Sequence, residues 1–468
     1  MANVTYPNST FYFNVGARAT DDPRNDLKPL TMTNFTARLS NHVYQLNVGD
    51  TLESFSQYTL SSAIKGFSYR FKNEEKNTPE YTVVYGYAYP RWDNFYGDSE
   101  VKTIKRTAYG ARVKKGLSPY FTTGLSFVRF DDSNRINTTD PLYDGNVVAL
   151  DWEYKPFEGL SLSGESSWSD TKQSPSAGAA DINGSGTAHR LLFQGEGGPI
   201  RLSVEYERVS PDFQSLMGCA TADREKVKAR WREKRGRNSS ITYGLLWFRD
   251  NLSGQKAYTT NHYRPEIIYT QRRLFNRQYA SGDFSYRLDR AFGAPQGVTN
   301  HYLNLGYHDR FGSFDCDTNL GYTKYSTTLA GRDSEEMTYN TSLGTRFTRG
   351  DTIVKPSISL GGWTASDDLA DETDTIREAA VGLGLDFPKS KIVSNLKVGT
   401  HKLSKGNAAS DDSSRTFVNL SVYYRAPFLE QMNQGQLFLR VAINDYSFST
   451  VSRDFVETSV TAGVSSQF

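Results

Sequence analysis

The chain has 468 residues, with 54 lysines and arginines against 52 aspartates and glutamates, and this balance excludes a strongly basic nucleic-acid-binding protein. Only 37% of the residues are hydrophobic, and no apolar run reaches the roughly eighteen residues of a membrane-spanning helix, which excludes a helical membrane protein. Two cysteines, Cys219 and Cys316, are too few for a disulfide framework or a zinc site.

The first part of the chain shows period-two alternation, the pattern of a strand with one apolar face. Residues 11–17 and 35–39 alternate in this way on either side of a polar loop, and residues 44–48 repeat the pattern. We predict that residues 1–10 form an N-terminal extension. Residues 11–41 form either a hairpin of the β-structure that follows or a separate β-element.

About twenty-one further segments with this alternation follow residue 62, each near the length of a membrane-spanning strand. Leu150 and Trp152 face one way, whereas Asp151 and Glu153 face the other. The second face carries glycine, serine, asparagine and charges in most segments, which makes it too polar for the core of a β-sandwich. The apolar face is therefore expected to meet lipid.

The connections between these segments alternate between long polar loops and short turns. The long connections include residues 449–454, 404–414, 366–373, 327–335 and 172–186. The short connections include residues 388–390, 349–351, 311–313, 235–237 and 195–199. This alternation is typical of an up-and-down barrel with tight periplasmic turns and longer external loops. The architecture of a soluble sandwich or propeller does not require this alternation of long and short connections.

The stretch at residues 455–468 also alternates, with Val460, Ala462, Val464 and Phe468 on one side. It resembles the C-terminal strand of bacterial outer-membrane β-barrels, in which alternating residues lead to a terminal Phe. The resemblance implies that these four residues belong to a closing strand that serves as an assembly signal. It also implies the bacterial outer membrane as the location, with lipid, lipopolysaccharide and the barrel-assembly machinery as partners.

We therefore predict an all-β fold, a transmembrane antiparallel up-and-down β-barrel of about 24 strands, with 22 as the alternative, over residues 11–468. Residues 1–10 are then a periplasmic extension, and residues 11–41 are either a hairpin of the barrel or a separate periplasmic β-element. The expected class is a large porin-like or export-type barrel, and the sequence identifies no narrower family. A barrel of this width is not filled by its own side chains, so it encloses a channel or a plugged lumen.

A column of cations is the strongest local anomaly of the sequence. The predicted lumen ladder consists of Lys226, Lys228, Arg230, Arg232, Lys234, Arg264 and Arg272. Like charges stacked along one face of a sheet repel, and two interpretations stay open. The ladder is either an electropositive wall that attracts anions or an acidic partner, or a salt-bridge network with acidic neighbours such as Glu205 and Glu207.

The long connection at residues 210–225 is more apolar than the other loops, because it contains Phe213, Leu216 and Met217. These residues make it a candidate constriction loop that folds into the lumen, as inserted loops do in porins. The alternative, which we favour, is that it packs on a neighbouring loop.

No enzyme motif is present, since HExxH, GxSxG, phosphate-binding and dinucleotide-binding patterns are all missing from the sequence. We predict no enzymatic activity, no cofactor, no metal site and no nucleic-acid partner. The predicted function is an outer-membrane conduit that passes or exports polar substrates, anionic ones among them. One alternative is a sleeve around a periplasmic or lumen-filling protein, such as a multihaem cytochrome or a secretion partner. Another is a barrel-based surface receptor or adhesin.

Overall fold

The computed structural model describes residues 2–6, 9–19, 28–72, 78–89, 91–96, 103–293, 297–328, 332–406, 412–429, 435–449 and 451–465. The chain divides into two compact units, considered separately below. The first unit comprises residues 1–197, 202–229 and 248–259. The second unit comprises residues 198–201, 230–247 and 260–468.

Eleven strands lie entirely in the first unit, each paired with the next one along the chain. They are β1 (Ala2–Tyr6), β2 (Ser9–Ala19), β3 (Leu30–Ser40), β4 (Tyr44–Leu52), β5 (Ala63–Phe71), β6 (Glu80–Tyr87), β7 (Lys105–Ser118), β8 (Phe121–Ser133), β9 (Leu142–Phe157), β10 (Leu160–Ser174) and β11 (Ile182–Gly197). All ten pairings from β1–β2 to β10–β11 are antiparallel.

Three strands have residues in both units, namely β12 (Ile200–Val209), β13 (Arg224–Arg235) and β14 (Ser239–Asp250). The second unit contains β15 (Asn261–Arg272), β16 (Ser281–Phe292), β17 (Val298–Phe311), β18 (Phe314–Thr327), β19 (Arg332–Thr345), β20 (Phe347–Arg349), β21 (Thr352–Asp367), β22 (Glu372–Phe387), β23 (Ile392–Ser404), β24 (Ser413–Tyr424), β25 (Gln436–Phe448) and β26 (Phe455–Ser465). Its pairings are antiparallel throughout.

These pairings confirm the predicted all-β, antiparallel, up-and-down arrangement. The 26 strand segments of the described chain amount to 25 strands, because β19 and β20 both pair with β21 and are interrupted only at Arg346. The prediction was about 24 strands, and β1 accounts for the difference. It lies within the segment predicted as an extension, and it pairs with β2.

Within the described ranges, helical structure is confined to short connections. One α-helix, α1 (Trp92–Tyr96), follows β6, and 3₁₀ turns occupy Leu274–Asn276, Pro427–Leu429 and Val451–Arg453. Among the described residues, no helix has the length and apolarity needed to cross a membrane.

Each unit has one face with large, exposed apolar side chains and an opposite face with small and polar side chains. On β9, Leu150 is 51% exposed, whereas its neighbour Ala149 is 1% exposed. On β22, Val381 is 59% exposed and the adjacent Ala380 is 5% exposed. Large exposed apolar side chains recur at alternate positions in both units, so the sorting is the reverse of that in a soluble domain.

Candidate functional site

Two connections of the first unit pack on each other above the polar face. Residues 53–62 join β4 to β5, and residues 210–223 follow β12. The rings of Tyr58 and Phe213 meet edge to face with centroids 5.8 Å apart, and both side chains are fully buried. We call this pair of connections the loop clasp.

Backbone hydrogen bonds join the two halves of the loop clasp. The N–H of Ser61 donates to the carbonyl oxygen of Met217 at 2.8 Å, and the N–H of Cys219 donates to that of Gln57 at 2.7 Å. The Ser62 hydroxyl donates to the same Met217 oxygen at 3.0 Å. The two connections therefore form one hydrogen-bonded body.

The loop clasp is also bonded to the strand β10 beneath it. The Glu165 carboxylate accepts hydrogen bonds from the N–H groups of Gln57 at 3.2 Å and Tyr58 at 3.1 Å. The Ser169 hydroxyl accepts one from the N–H of Gln214 at 3.1 Å. Glu165 is only 7% exposed, so these donors replace the water that its charge would otherwise need.

Apolar side chains from the strands complete this core. The cluster consists of Phe55, Tyr58, Leu60, Ile64, Val84, Ala108, Val128, Phe130, Val147, Ala188, Val209, Phe213 and Met217. The strand residues of this set lie on the face opposite to the exposed apolar residues. The polar face of the first unit is therefore locally apolar where the loop clasp covers it.

An ion network lies beside the loop clasp. Arg190 contacts Glu205 at 2.8 Å, and Lys226 contacts Glu205 at 3.1 Å and also Glu207. Burial, together with the negative charge of Glu207, raises the pKa of the Tyr58 phenol above its ordinary range. Tyr58 is therefore neutral at every physiological pH, as its position in an apolar core requires.

A second ion pair holds the end of residues 210–223. The Asp223 carboxylate contacts the Lys256 ammonium at 2.6 Å and accepts a hydrogen bond from the N–H of Leu252 at 2.6 Å. Burial of Asp223 opposes its ionisation. The Lys256 ion pair and the Leu252 hydrogen bond outweigh that effect and hold the Asp223 pKa below its usual range.

The structure places the predicted constriction residues inside the loop clasp. Phe213 and Met217 are fully buried, and Leu216 packs against the same cluster while remaining partly exposed. The segment thus contacts a neighbouring connection and also lies over the polar face of the strands. Cys219, in the same segment, is exposed, and both cysteines of the chain are free.

The predicted cation ladder separates into paired and unpaired members. In the first unit, Lys226 is neutralised by the two glutamates of β12, whereas Lys228 has no ion pair with any described residue. In the second unit, the side chains that form no ion pair within the described ranges are Arg230, Arg232, Lys234, Arg264 and Arg272. Four of these five are exposed.

The predicted assembly-signal residues lie at the end of the second unit. Val460 and Ala462 are exposed on β26, which pairs with β25 over its length. Val464 belongs to the same strand, and Phe468 lies outside the described residues. The role of these residues stays a prediction.

Sequence reasoning missed residues 53–62 and Glu165. In the first segment, Phe55, Tyr58 and Leu60 follow no strand or helix period, so their spacing predicts no buried face. Glu165 looks like any other polar-face residue of β10. Only its position beneath the two N–H groups, more than a hundred residues away in sequence, reveals its role.

No family model and no curated protein matches the chain. Among solved structures, it is similar to the P pilus usher (PapC) translocation pore, with 12% identity, a TM-score of 0.43, and coverage of 90% of this chain and 93% of that one. It is also similar to the outer membrane transporter YddB from Escherichia coli, with 7% identity, a TM-score of 0.40, and coverage of 98% and 80%.

A third similar structure is the FrpB iron transporter from Neisseria meningitidis, with 10% identity, a TM-score of 0.42, and coverage of 86% of this chain and 78% of that one. With identities this low and TM-scores below 0.5, these similarities assign neither a family nor a function to the chain.

Proposed function

We propose that the protein is a bacterial outer-membrane β-barrel that conducts polar solutes and prefers anions. The observation that carries this proposal is the sorting of side chains in both units, with large apolar residues exposed on one face and charges on the other. Lipid is the environment in which an antiparallel sheet with this sorting is stable, because neighbouring strands satisfy each other's backbone hydrogen bonds.

The preference for anions follows from the unpaired cations of the second unit. Arg230, Arg232 and Lys234 alternate along β13, and no described carboxylate neutralises them. Charges of one sign on a confined wall raise the local concentration of counter-ions. The loop clasp covers part of the polar face of the first unit, so we expect it to limit the size of the solutes that pass.

Single-channel recording in planar bilayers tests this function. The triple variant Arg230→Gln/Arg232→Gln/Lys234→Gln is expected to lower the anion-to-cation permeability ratio several-fold, measured as a shift of the reversal potential in a salt gradient. The matched control, Arg230→Lys/Arg232→Lys/Lys234→Arg, keeps all three charges and is expected to retain the wild-type ratio.

Three results would contradict the proposal. An unchanged anion-to-cation permeability ratio in the triple variant would contradict the proposed role of these three cations in anion preference. A silent bilayer, with another protein copurifying, would favour a sleeve or receptor over a conduit. Solubility of the protein without detergent would contradict the proposed membrane location.

A further inference from the structure

A row of residues crosses the polar face of the second unit from β21 to β25. The register pairs Lys355 with Gly384, Gly384 with Asn395, Asn395 with Ser421, and Ser421 with Arg440. Directly paired residues of antiparallel strands share a face. The row therefore has a cation at each end and three short uncharged residues between them.

A further cation stands beside Lys355. β19 and β20 pair with β21 in one register on both sides of Arg346, which sets Arg346 opposite Lys355. Pro356 has no N–H to donate, which explains why the pairing is interrupted here. Two like charges opposite each other destabilise a sheet, and binding of an anion between them would relieve that repulsion.

A neighbouring row of paired residues, together with the first row, forms the floor of a groove. Gly344 pairs with Ser357, Ser357 with Gly382, and Gly382 with Lys397. A Cβ added to Gly382 would lie 2.5 Å from the Ser357 hydroxyl oxygen, so the Ser357 side chain lies directly against this glycine. Together the two rows line a groove of about 880 Å³.

The charges along the groove are only partly neutralised. Lys397 contacts Glu378 at 3.2 Å, and the Lys355 ammonium lies 3.9 Å from the Asp386 carboxylate. Within the described part of the chain, Arg346 and Arg440 form no ion pair. The groove thus retains two guanidinium groups that are free to bind anions.

Aromatic rings lie at the Arg440 end. Its guanidinium carbon lies 5.1 Å from the centre of the Phe438 ring and 5.8 Å from that of Tyr423. Such stacking fixes the orientation of the guanidinium without using its N–H donors. It also places apolar ring surfaces next to a cation.

We propose that this groove binds an acidic oligosaccharide, a substrate class that rests on the proposed conduit. With strands about 4.8 Å apart, the four spacings between β21 and β25 separate Lys355 and Arg440 by roughly 19 Å. The amide and hydroxyl groups of Asn395 and Ser421 lie between them. Carboxylates spaced by hydroxylated rings match this order of charged, neutral and aromatic groups. Ring hydroxyls both donate to and accept from Asn395 and Ser421, whereas a polyphosphate has only acceptors and no ring to pack on the aromatic side chains.

Calorimetric titration of the full chain in detergent micelles tests the assignment. Tetragalacturonate is the probe, with maltotetraose as its neutral counterpart and inorganic tetrapolyphosphate as a purely ionic one. We expect tetragalacturonate to bind and Arg346→Gln/Arg440→Gln to weaken it at least about tenfold, the loss that one charge-assisted hydrogen bond represents.

The matched control is Arg349→Gln/Lys389→Gln, which removes a cation facing away from the groove on β20 and a cation in a turn. It is expected to leave the affinity unchanged. Asn395→Asp, which keeps the shape of the floor and adds a negative charge, is expected to weaken binding of tetragalacturonate. Retained heat-modifiable migration on a gel establishes that each variant is folded.

The groove assignment is overturned if tetragalacturonate does not bind, if tetrapolyphosphate binds as tightly, or if both double variants lose affinity equally. Binding is measured without a membrane or a current. Binding without conductance would therefore refute the conduit and leave the groove, whereas conductance without binding would refute the groove alone.

Discussion

The carboxylates of Glu165, Glu205 and Glu207, beside the loop clasp, all have hydrogen-bond or ion-pair partners. Glu165 accepts two backbone N–H groups, while Glu205 and Glu207 share Lys226. Removing one member of a buried pair leaves an uncompensated charge, which typically costs about 3–5 kcal/mol. The position of the loop clasp therefore depends on a few single residues as well as on apolar burial.

The lowered pKa of the Asp223 carboxylate predicts how the loop clasp responds to acid. Its folded-state pKa is lowered, so its stabilising contribution is present above its ordinary pKa of about 4 and is lost as the pH falls through the folded value. Hydrogen exchange between pH 7 and pH 3, corrected for intrinsic rates, is expected to show the Leu252 amide losing protection on acidification. In Asp223→Asn this protection is expected to be low already at pH 7.

The exposed Asp212, in the same connection, provides the control. Asp212→Asn is expected to keep the wild-type pH profile of the Leu252 amide. The same profile in Asp223→Asn would show that this carboxylate does not hold the segment.

At the scale of elements, docking of residues 210–223 depends on how closely they approach β11. A Cβ added to Gly186 would lie 2.2 Å from the backbone nitrogen of Phe213 and 2.4 Å from its Cα. Backbone atoms do not move aside as a flexible side chain does. β11 therefore carries glycine at the point where this connection crosses it.

Gly186→Ala is expected to destabilise the docked segment by about 1–3 kcal/mol, the usual cost of overpacking. Chymotrypsin cleavage after Phe213 measures the effect, because this buried side chain becomes accessible only when the segment lifts. Gly197→Ala, on the same strand, introduces a Cβ with no atom within 4 Å and is expected to leave the cleavage rate unchanged. Equal rates in the two variants would contradict close docking.

The whole molecule is defined by the sorting of its two faces. Exposed apolar side chains occur in both units, whereas ion pairs and short polar residues occupy the opposite face. In water such a surface would aggregate. The proposed membrane location therefore predicts that a charged substitution destabilises the protein on the apolar face and is tolerated on the polar face.

Leu150→Arg places a charge on the apolar face of β9 and is expected to cost about 2–4 kcal/mol if the position lies near the bilayer midplane. Glu153→Arg, on the polar face of the same strand, is expected to be tolerated. The measurement is the fraction of detergent-extracted protein that shows heat-modifiable migration. Equal assembly of both variants would count against lipid contact on the Leu150 face.

The sequence alone determined the strands, their faces and the alternation of long and short connections. These features are local, because side chains alternate with period two in any strand and turns need particular residues. That is why β2 to β26 were located, and only β1, a five-residue strand, was missed.

Only the tertiary structure decided which residues meet across strands and connections. Lys226 and Arg230 look alike in the sequence, yet one has two glutamate partners and the other has no ion pair within the described chain. Residues 53–62 became core because residues 210–223 cover them, and Arg440 joins Lys355 in one row through four successive registers. Such contacts depend on pairings that are distant along the chain, and no local period records them.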